Sequence, residues 1–405
     1  MSLRLRKIFF TAKEKIISHY LAVLVAVIVG LIYIAPNLIF ILSLGDEYKG
    51  IPMMRTGNED FYLARIREII DGHPALGSFV FYEYKNQPPL SPPAGEFLYA
   101  LPTLLFGISP INTLIASRFF LSLILFLLIY FLVRALTSSL ESLSNKINSV
   151  ACALFVVLGY DLVDYRSIWR FFTGQLELSS GGFLIWSRPV NPILGAIFLF
   201  SFLIFIWKVV QKNPHKKINI IGAAAFFSLM IGNYFFSWGL ALSVLGILVL
   251  IYLFKREFLV VRNLLWVVFG TALLSAPYWY SAWTASKSPW YGDSVLRSGL
   301  FYTHYPLLNK LMLAVLAFYL LAAVLIPSWV NRLSFGGLKR SLIATIKNFQ
   351  NWQWFCLAFI FGSLGIQSAD NYGQNDLALS FCAIYYSAGH GCFVGFAVQF
   401  RKADF

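Results

Sequence analysis

Apolar residues in this chain fall into runs of about twenty, the length an α-helix needs to cross the hydrocarbon core of a bilayer. Polar residues gather between the runs, so each run predicts a helix whose backbone groups are satisfied internally, as a lipid environment requires. Nine stretches fit, near residues 19–44, 111–134, 148–163, 190–209, 218–232, 234–254, 260–280, 306–326 and 352–368. The fifth and sixth nearly meet at IGNYFFSWG, which predicts a tight hairpin or one broken helix. The fold class is therefore all-α: a polytopic helical membrane protein of about nine transmembrane helices with a long first extracytoplasmic loop.

Composition narrows this further. With 59% hydrophobic and 12% charged residues, there is no separate soluble domain to expect. The basic N-terminus, MSLRLRKIFFTAKEKIISHY, feeds a first run too long for a cleaved signal and without a small-residue cleavage site, so it reads as a retained span. Of the four cysteines, Cys152 and Cys356 lie in apolar spans and Cys382 and Cys392 near the C-terminus, which speaks against a disulfide framework.

Charge sets the orientation. Lys and Arg in short loops mark the cytoplasmic side. Arg4, Arg6, Lys7, Lys13 and Lys15 place the N-terminus there. If every stretch crosses once, the same side receives Arg134 and Lys146, then Lys208, Lys212, Lys216 and Lys217, then Lys255, Arg256 and Arg262, then Arg332, Lys339, Arg340 and Lys347. The net charge of +14 thus faces anionic lipid and calls for no nucleic acid.

The opposite side is acidic. The loop from Gly45 to Ile111 alone holds eight of the 18 Asp and Glu residues. Acidic residues contribute little to topology, so their gathering there points to a site on the outer face. Within this loop Thr56-Gly-Asn-Glu59 fits a capping box, and Tyr62, Ile66, Ile69 and Ile70 recur at helical spacing up to Gly72. A short amphipathic helix on the outer membrane surface is predicted, with Asp60, Ala64, Arg67 and Asp71 on its other face. A second acidic pair, Asp46 and Glu47, stands where the first span ends. Such carboxylates can take a proton from an acceptor as general base, or hold a divalent cation against a phosphate leaving group. The plain alternatives are that Glu59 is a cap partner and that Asp46 and Glu47 mark the water interface.

At these residues the chain resembles the GT-C integral-membrane glycosyltransferases, the superfamily of oligosaccharyltransferase catalytic subunits, protein O-mannosyltransferases and aminoarabinose transferases. It shares a cytoplasmic N-terminus, an acidic pair just after the first span, a long first outer loop with surface helices, and many further spans. GNEDFYLARIREIIDGHP and EYKNQPPLSPP are similar to uncharacterised bacterial members. The resemblance covers residues 1–368 as architecture and 46–110 as motif. It implies a bacterial cytoplasmic membrane location, an inverting transfer from a sugar on polyprenyl phosphate, and a lipid, glycan or protein acceptor. It further implies Asp60 or Asp46 as base, with Glu47 and Glu59 as supporting acids or ligands of a divalent cation, Mg²⁺ or Mn²⁺.

Arg188 precedes the fourth span on the outer side, against the positive-inside tendency, and Arg170 repeats this in weaker form. Arg118 lies inside the second span, where a charge must find a partner or a wet cavity. These three are the candidate contacts to the donor phosphate, with snorkelling to headgroups as the alternative for Arg188. His73, Asp71, Lys85 and Asn86 are candidate substrate contacts, the last two beside a proline-stiffened segment. No Walker loop, dinucleotide fingerprint, zinc pattern or Gly-x-Ser-x-Gly elbow is present.

Residues 369–405 lack a clear period. Ala369 to Tyr386 can be back-translated so that a one-nucleotide slide reads QIITGKTIWPYHFVQYT, followed by a further apolar run. ITG with a downstream His resembles a motif after a late span in the same bacterial group. One reading of the tail is therefore a shifted frame, which would make this chain a truncated copy; coincidence through synonymous codons is the other. The nucleotide sequence beyond the Gly365 codon separates them. Two other classes compete with the enzyme. In a transporter or lipid flippase the same acids would be ion sites, usually deep in spans with repeated half-structures. The second rival is a non-catalytic envelope-assembly protein.

Overall fold

The computed structural model describes residues 18–53, 59–74, 76–77, 83, 85–87, 93–137, 143–163, 184–211, 216–287, 291, 310–331 and 338–364. Arg170, Thr56 and the tail lie outside these residues. All regular structure among the described residues is helical. The helices are α1 (Tyr20–Leu44), α2 (Glu59–Ile70), α3 (Ala94–Phe106), α4 (Pro110–Leu136), α5 (Leu143–Val163), α6 (Ile193–Val210) and α7 (Lys216–Ile231). They continue as α8 (Phe235–Phe254), α9 (Phe258–Leu274), α10 (Ala276–Ala285), α11 (Lys310–Leu320), α12 (Ile326–Asn331), α13 (Leu338–Lys347) and α14 (Asn351–Leu364).

A helix lies at each of the nine apolar stretches, but only four among the described residues are long and apolar enough to cross a membrane: α1, α4, α6 and α8. A fifth is added if α9 and α10, bent by 53° at their junction, form one span. The others are shorter or broken. α7 has 16 residues and α14 has 14, and at 1.5 Å per residue these reach about 24 Å and 21 Å against a core of about 30 Å. A π-helical turn at Leu321–Leu325 interrupts the eighth stretch between α11 and α12.

Two antiparallel spans build the frame of the site. α1 ends at Gly45, whose φ of +51° suits a residue without a side chain. α4 starts cleanly because Ser109 accepts a hydrogen bond from the Asn112 backbone N–H and Pro110 occupies the first turn. The two approach closely where Gly30 faces Phe119: a β-carbon on Gly30 would stand 2.8 Å from the Phe119 ring and 3.0 Å from its carbonyl oxygen. Small residues permit such contact between helices in lipid. At the basic end, His19 Nδ1 and the Tyr130 hydroxyl are 2.8 Å apart, and Lys146 donates to the Ser18 carbonyl. α6 is the central helix, buried along nearly its whole length against α4, α7 and α8. Its Phe200, Phe202, Leu203 and Ile206 are fully enclosed.

Candidate functional site

The acidic loop is folded onto the end of the frame where α1 stops and α4 starts. Glu59, the first residue of α2, is fully buried, and its carboxylate accepts a hydrogen bond of 2.7 Å from Arg118 of α4. The same guanidinium donates to the Asn37 carboxamide oxygen of α1. Asn37 is eight residues before Gly45, and Arg118 eight after Pro110, so this junction sits about 12 Å inside both helix ends. The intramembrane arginine thus finds an acidic partner from the outer loop. A charge there would otherwise be costly. Arg118 Nε and Asn37 Nδ2 are buried without a hydrogen-bond partner among the described residues.

Two further ion pairs hold α2 along its length. Arg65 Nε donates to Glu96 Oε1 of α3 at 2.6 Å, with both side chains nearly inaccessible. Lys85 donates to Glu68 Oε1 at 3.0 Å. Ile66 and Ile69 pack beside these charges in the core. The inward face of α2 is therefore mixed, charged and apolar, and the helix is wedged between elements. The opposite face agrees with the sequence reading: Asp60 is exposed, and Arg67 pairs with Asp71 at 2.9 Å in solvent. α3 shows the lipid-facing pattern instead, with Leu98, Leu101, Leu104, Leu105 and Phe106 exposed and Gly95, Glu96 and Tyr99 turned inward.

The third component is the segment before α6. Leu184 and Val190 adopt φ of +49° and +61°, and the Asn191–Pro192 peptide is cis. Positive φ is an outlier for a β-branched residue and costs about 1–3 kcal/mol. The surroundings hold it there: Val190 is fully buried. Arg188 then stands 6.0 Å from the Tyr62 ring centroid, as a cation over an aromatic face. Asn191 accepts a hydrogen bond from Asn233 in the turn between α7 and α8 at 3.0 Å. Burial raises the Tyr62 phenol above its ordinary range, opposed by the positive charge of Arg188. Burial likewise raises Tyr99.

These facts place the candidates unequally. Glu59 and Arg118 meet each other. Arg188 meets α2 through Tyr62. Asp46 and Glu47 lie exposed in a 3-10 turn after α1, and Asp60 is exposed at the start of α2. Asp71 belongs to the solvent-facing pair with Arg67, Lys85 is taken up by Glu68, and Asn86 is exposed and His73 half-buried. No group of three His, Cys, Asp or Glu positioned for a metal ion exists among the described residues. Of the supporting acids that the resemblance implies, Glu59 has its Oε2 taken by Arg118.

Sequence reading missed Asn37, Arg65, Glu96 and Asn233. A signal existed for Arg65. Glu59 and Arg65 share the helical stripe of Tyr62, Ile66 and Ile69, and charges on an apolar stripe are buried only when paired. Asn37 and Asn233, single amides in apolar surroundings, carried no such pattern. No protein-family model, no curated protein and no solved structure matches the chain.

Proposed function

We propose that this chain is a GT-C-like glycosyltransferase of the bacterial cytoplasmic membrane, with nine crossings and a cytoplasmic N-terminus. It moves a sugar from a polyprenyl-phosphate donor to a lipid, glycan or protein acceptor on the outer face. One observation carries the reading. Asp60 is exposed, yet it follows directly on Glu59, whose carboxylate pairs with Arg118 inside the α4 span. A carboxylate facing lipid there would be costly, so the reading requires Asp60 to face water at the membrane boundary. That is where a lipid-borne sugar and a polar acceptor would meet.

In this reading Asp60 or Asp46 takes the proton of the acceptor nucleophile as its oxygen or nitrogen attacks the anomeric carbon. The bond from that carbon to the phosphate oxygen breaks with inversion, and polyprenyl phosphate leaves with one more negative charge. Arg188, which stands over Tyr62, is the cation that this reading assigns to that charge. A cation held by Glu59 is not part of the scheme.

The test is transfer from a short-chain polyprenyl-phosphate sugar in proteoliposomes, comparing wild type with Asp60→Asn and Asp46→Asn. The variant that loses transfer by about a hundredfold or more while still binding donor identifies the base. Unchanged transfer in both variants would sink the assignment of either aspartate. A transporter is the second reading, favoured by the buried Glu59–Arg118 pair, since intramembrane charge pairs also form ion pathways. Movement of an ion or lipid across the same liposomes without glycosyl transfer would establish it instead.

A further inference from the structure

Glu59 and Asp60 are adjacent carboxylates, and only one of them reaches Arg118. Either could satisfy the guanidinium if α2 rotated by one residue. Something else must choose. The second ion pair does so: with Arg65 on Glu96, Glu59 falls on Arg118 and Asp60 is left exposed. In the slipped register, Ile66 would face the Glu96 carboxylate and Ile69 would replace Glu68 at Lys85. The first would leave the Glu96 carboxylate buried against hydrocarbon, which is costly, and the second would leave the half-buried Lys85 without its acid.

We infer that the ion pairs Glu59–Arg118 and Arg65–Glu96 form a two-point key that fixes the register of α2, and that Arg118 and Glu59 are positioning residues for Asp60. The value of the key lies in specificity. Buried ion pairs contribute little net stability compared with apolar replacements, and setting register is their best-attested use. The partners come from different elements, α4 for one and α3 for the other, so both must be docked before α2 is held. That Asp60 is the group being positioned rests on the proposed function; the register itself does not.

The register is tested by cysteine labelling in membranes with a water-soluble maleimide, in a background where the four native cysteines are serine. Arg67 is 64% exposed and Ile66 is buried, so a cysteine at 67 reacts and one at 66 does not. Combining Arg65→Leu and Glu96→Leu with Glu68→Leu and Lys85→Leu removes both pairs that oppose the slip without leaving an unpaired charge. Asp60 then competes for Arg118, position 67 rotates into the site of 66, and its labelling falls by about half or more if the registers are near equal in energy. Swapping the pair, as Arg65→Glu with Glu96→Arg, restores labelling. Full labelling at 67 in the four-leucine variant would overturn the inference.

The positioning role is read in transfer kinetics. Arg118→Lys, which keeps the charge but loses the fork that bridges Glu59 and Asn37, lowers kcat by about tenfold with donor KM unchanged. A raised donor KM with kcat retained would instead make Arg118 a donor contact and overturn its positioning role. If labelling follows the key but no variant or wild type transfers sugar, the register stands and the enzyme reading fails.

Discussion

The Asn233 side chain lies so close over Gly95 that a β-carbon there would fall inside contact distance of its Oδ1 and of Val190 Cγ1. Beside it, the backbone N–H of Ala94 donates to the Gly232 carbonyl at 3.1 Å. The first turn of α3, which carries Glu96, is thus seated directly on the turn between α7 and α8. Gly95→Ala is expected to destabilise the protein by about 1–3 kcal/mol, the usual cost of overpacking. Thermal unfolding in detergent measures it. Because Asn233 and Val190 both crowd this point, Asn233→Ala restores only part of the loss.

Burial separates two ion pairs on the same helix. Arg67 and Asp71 are both well exposed, and such pairs contribute about 0–1 kcal/mol. Arg65 and Glu96 are almost inaccessible, and removing one partner of a buried pair costs about 3–5 kcal/mol. Arg67→Ala should therefore leave the unfolding midpoint nearly unchanged, whereas Glu96→Ala lowers it strongly. Equal effects of the two substitutions would show that the Arg65–Glu96 contact is not formed in the folded protein.

Most of the helices were legible because membrane burial demands long apolar runs, and α1, α4, α6 and α8 stand where those runs predict. The outward face of α2 was legible for the same reason, as Asp60, Arg67 and Asp71 follow helical spacing. Its inward face was not. Periodicity marks which residues share a side, but whether Glu59 faces water or Arg118 depends on an element 59 residues away. The need of Arg118 for a partner could be read from its place in an apolar run; the identity of the partner could not. The strained backbone at Val190 left no trace in the sequence, since valine is a residue that avoids positive φ.

Tyr62 gives the site a dependence on alkaline pH. Its phenol is raised from the ordinary value of 10.0, chiefly by burial. A group whose folded pKa is raised contributes stability that is complete below its unfolded pKa and lost as pH rises through the folded value. For Tyr62 that window opens above pH about 10. Wild type should lose stability relative to Tyr62→Phe as pH is raised through the window, because only wild type has a buried phenol to ionise. A gap that stays constant would place Tyr62 in a solvated setting.

Metal removal bears on the acids differently. Asp46 and Glu47 are exposed neighbours after α1, and Glu59 is held by Arg118, so the described residues offer no three-ligand set. A tightly held ion would stabilise the folded state by mass action, and its removal would lower the unfolding midpoint. The expectation is that a chelator leaves the midpoint of the donor-free protein unchanged, and that added Mg²⁺ or Mn²⁺ leaves it unchanged as well. A rise with Mg²⁺ that Glu59→Gln abolishes would show that the Glu59 carboxylate leaves Arg118 to bind metal, and the clamp on α2 would then be a switchable one. A rise abolished by Asp46→Asn or Glu47→Gln would instead place an ion at the end of α1, with the buried pair intact.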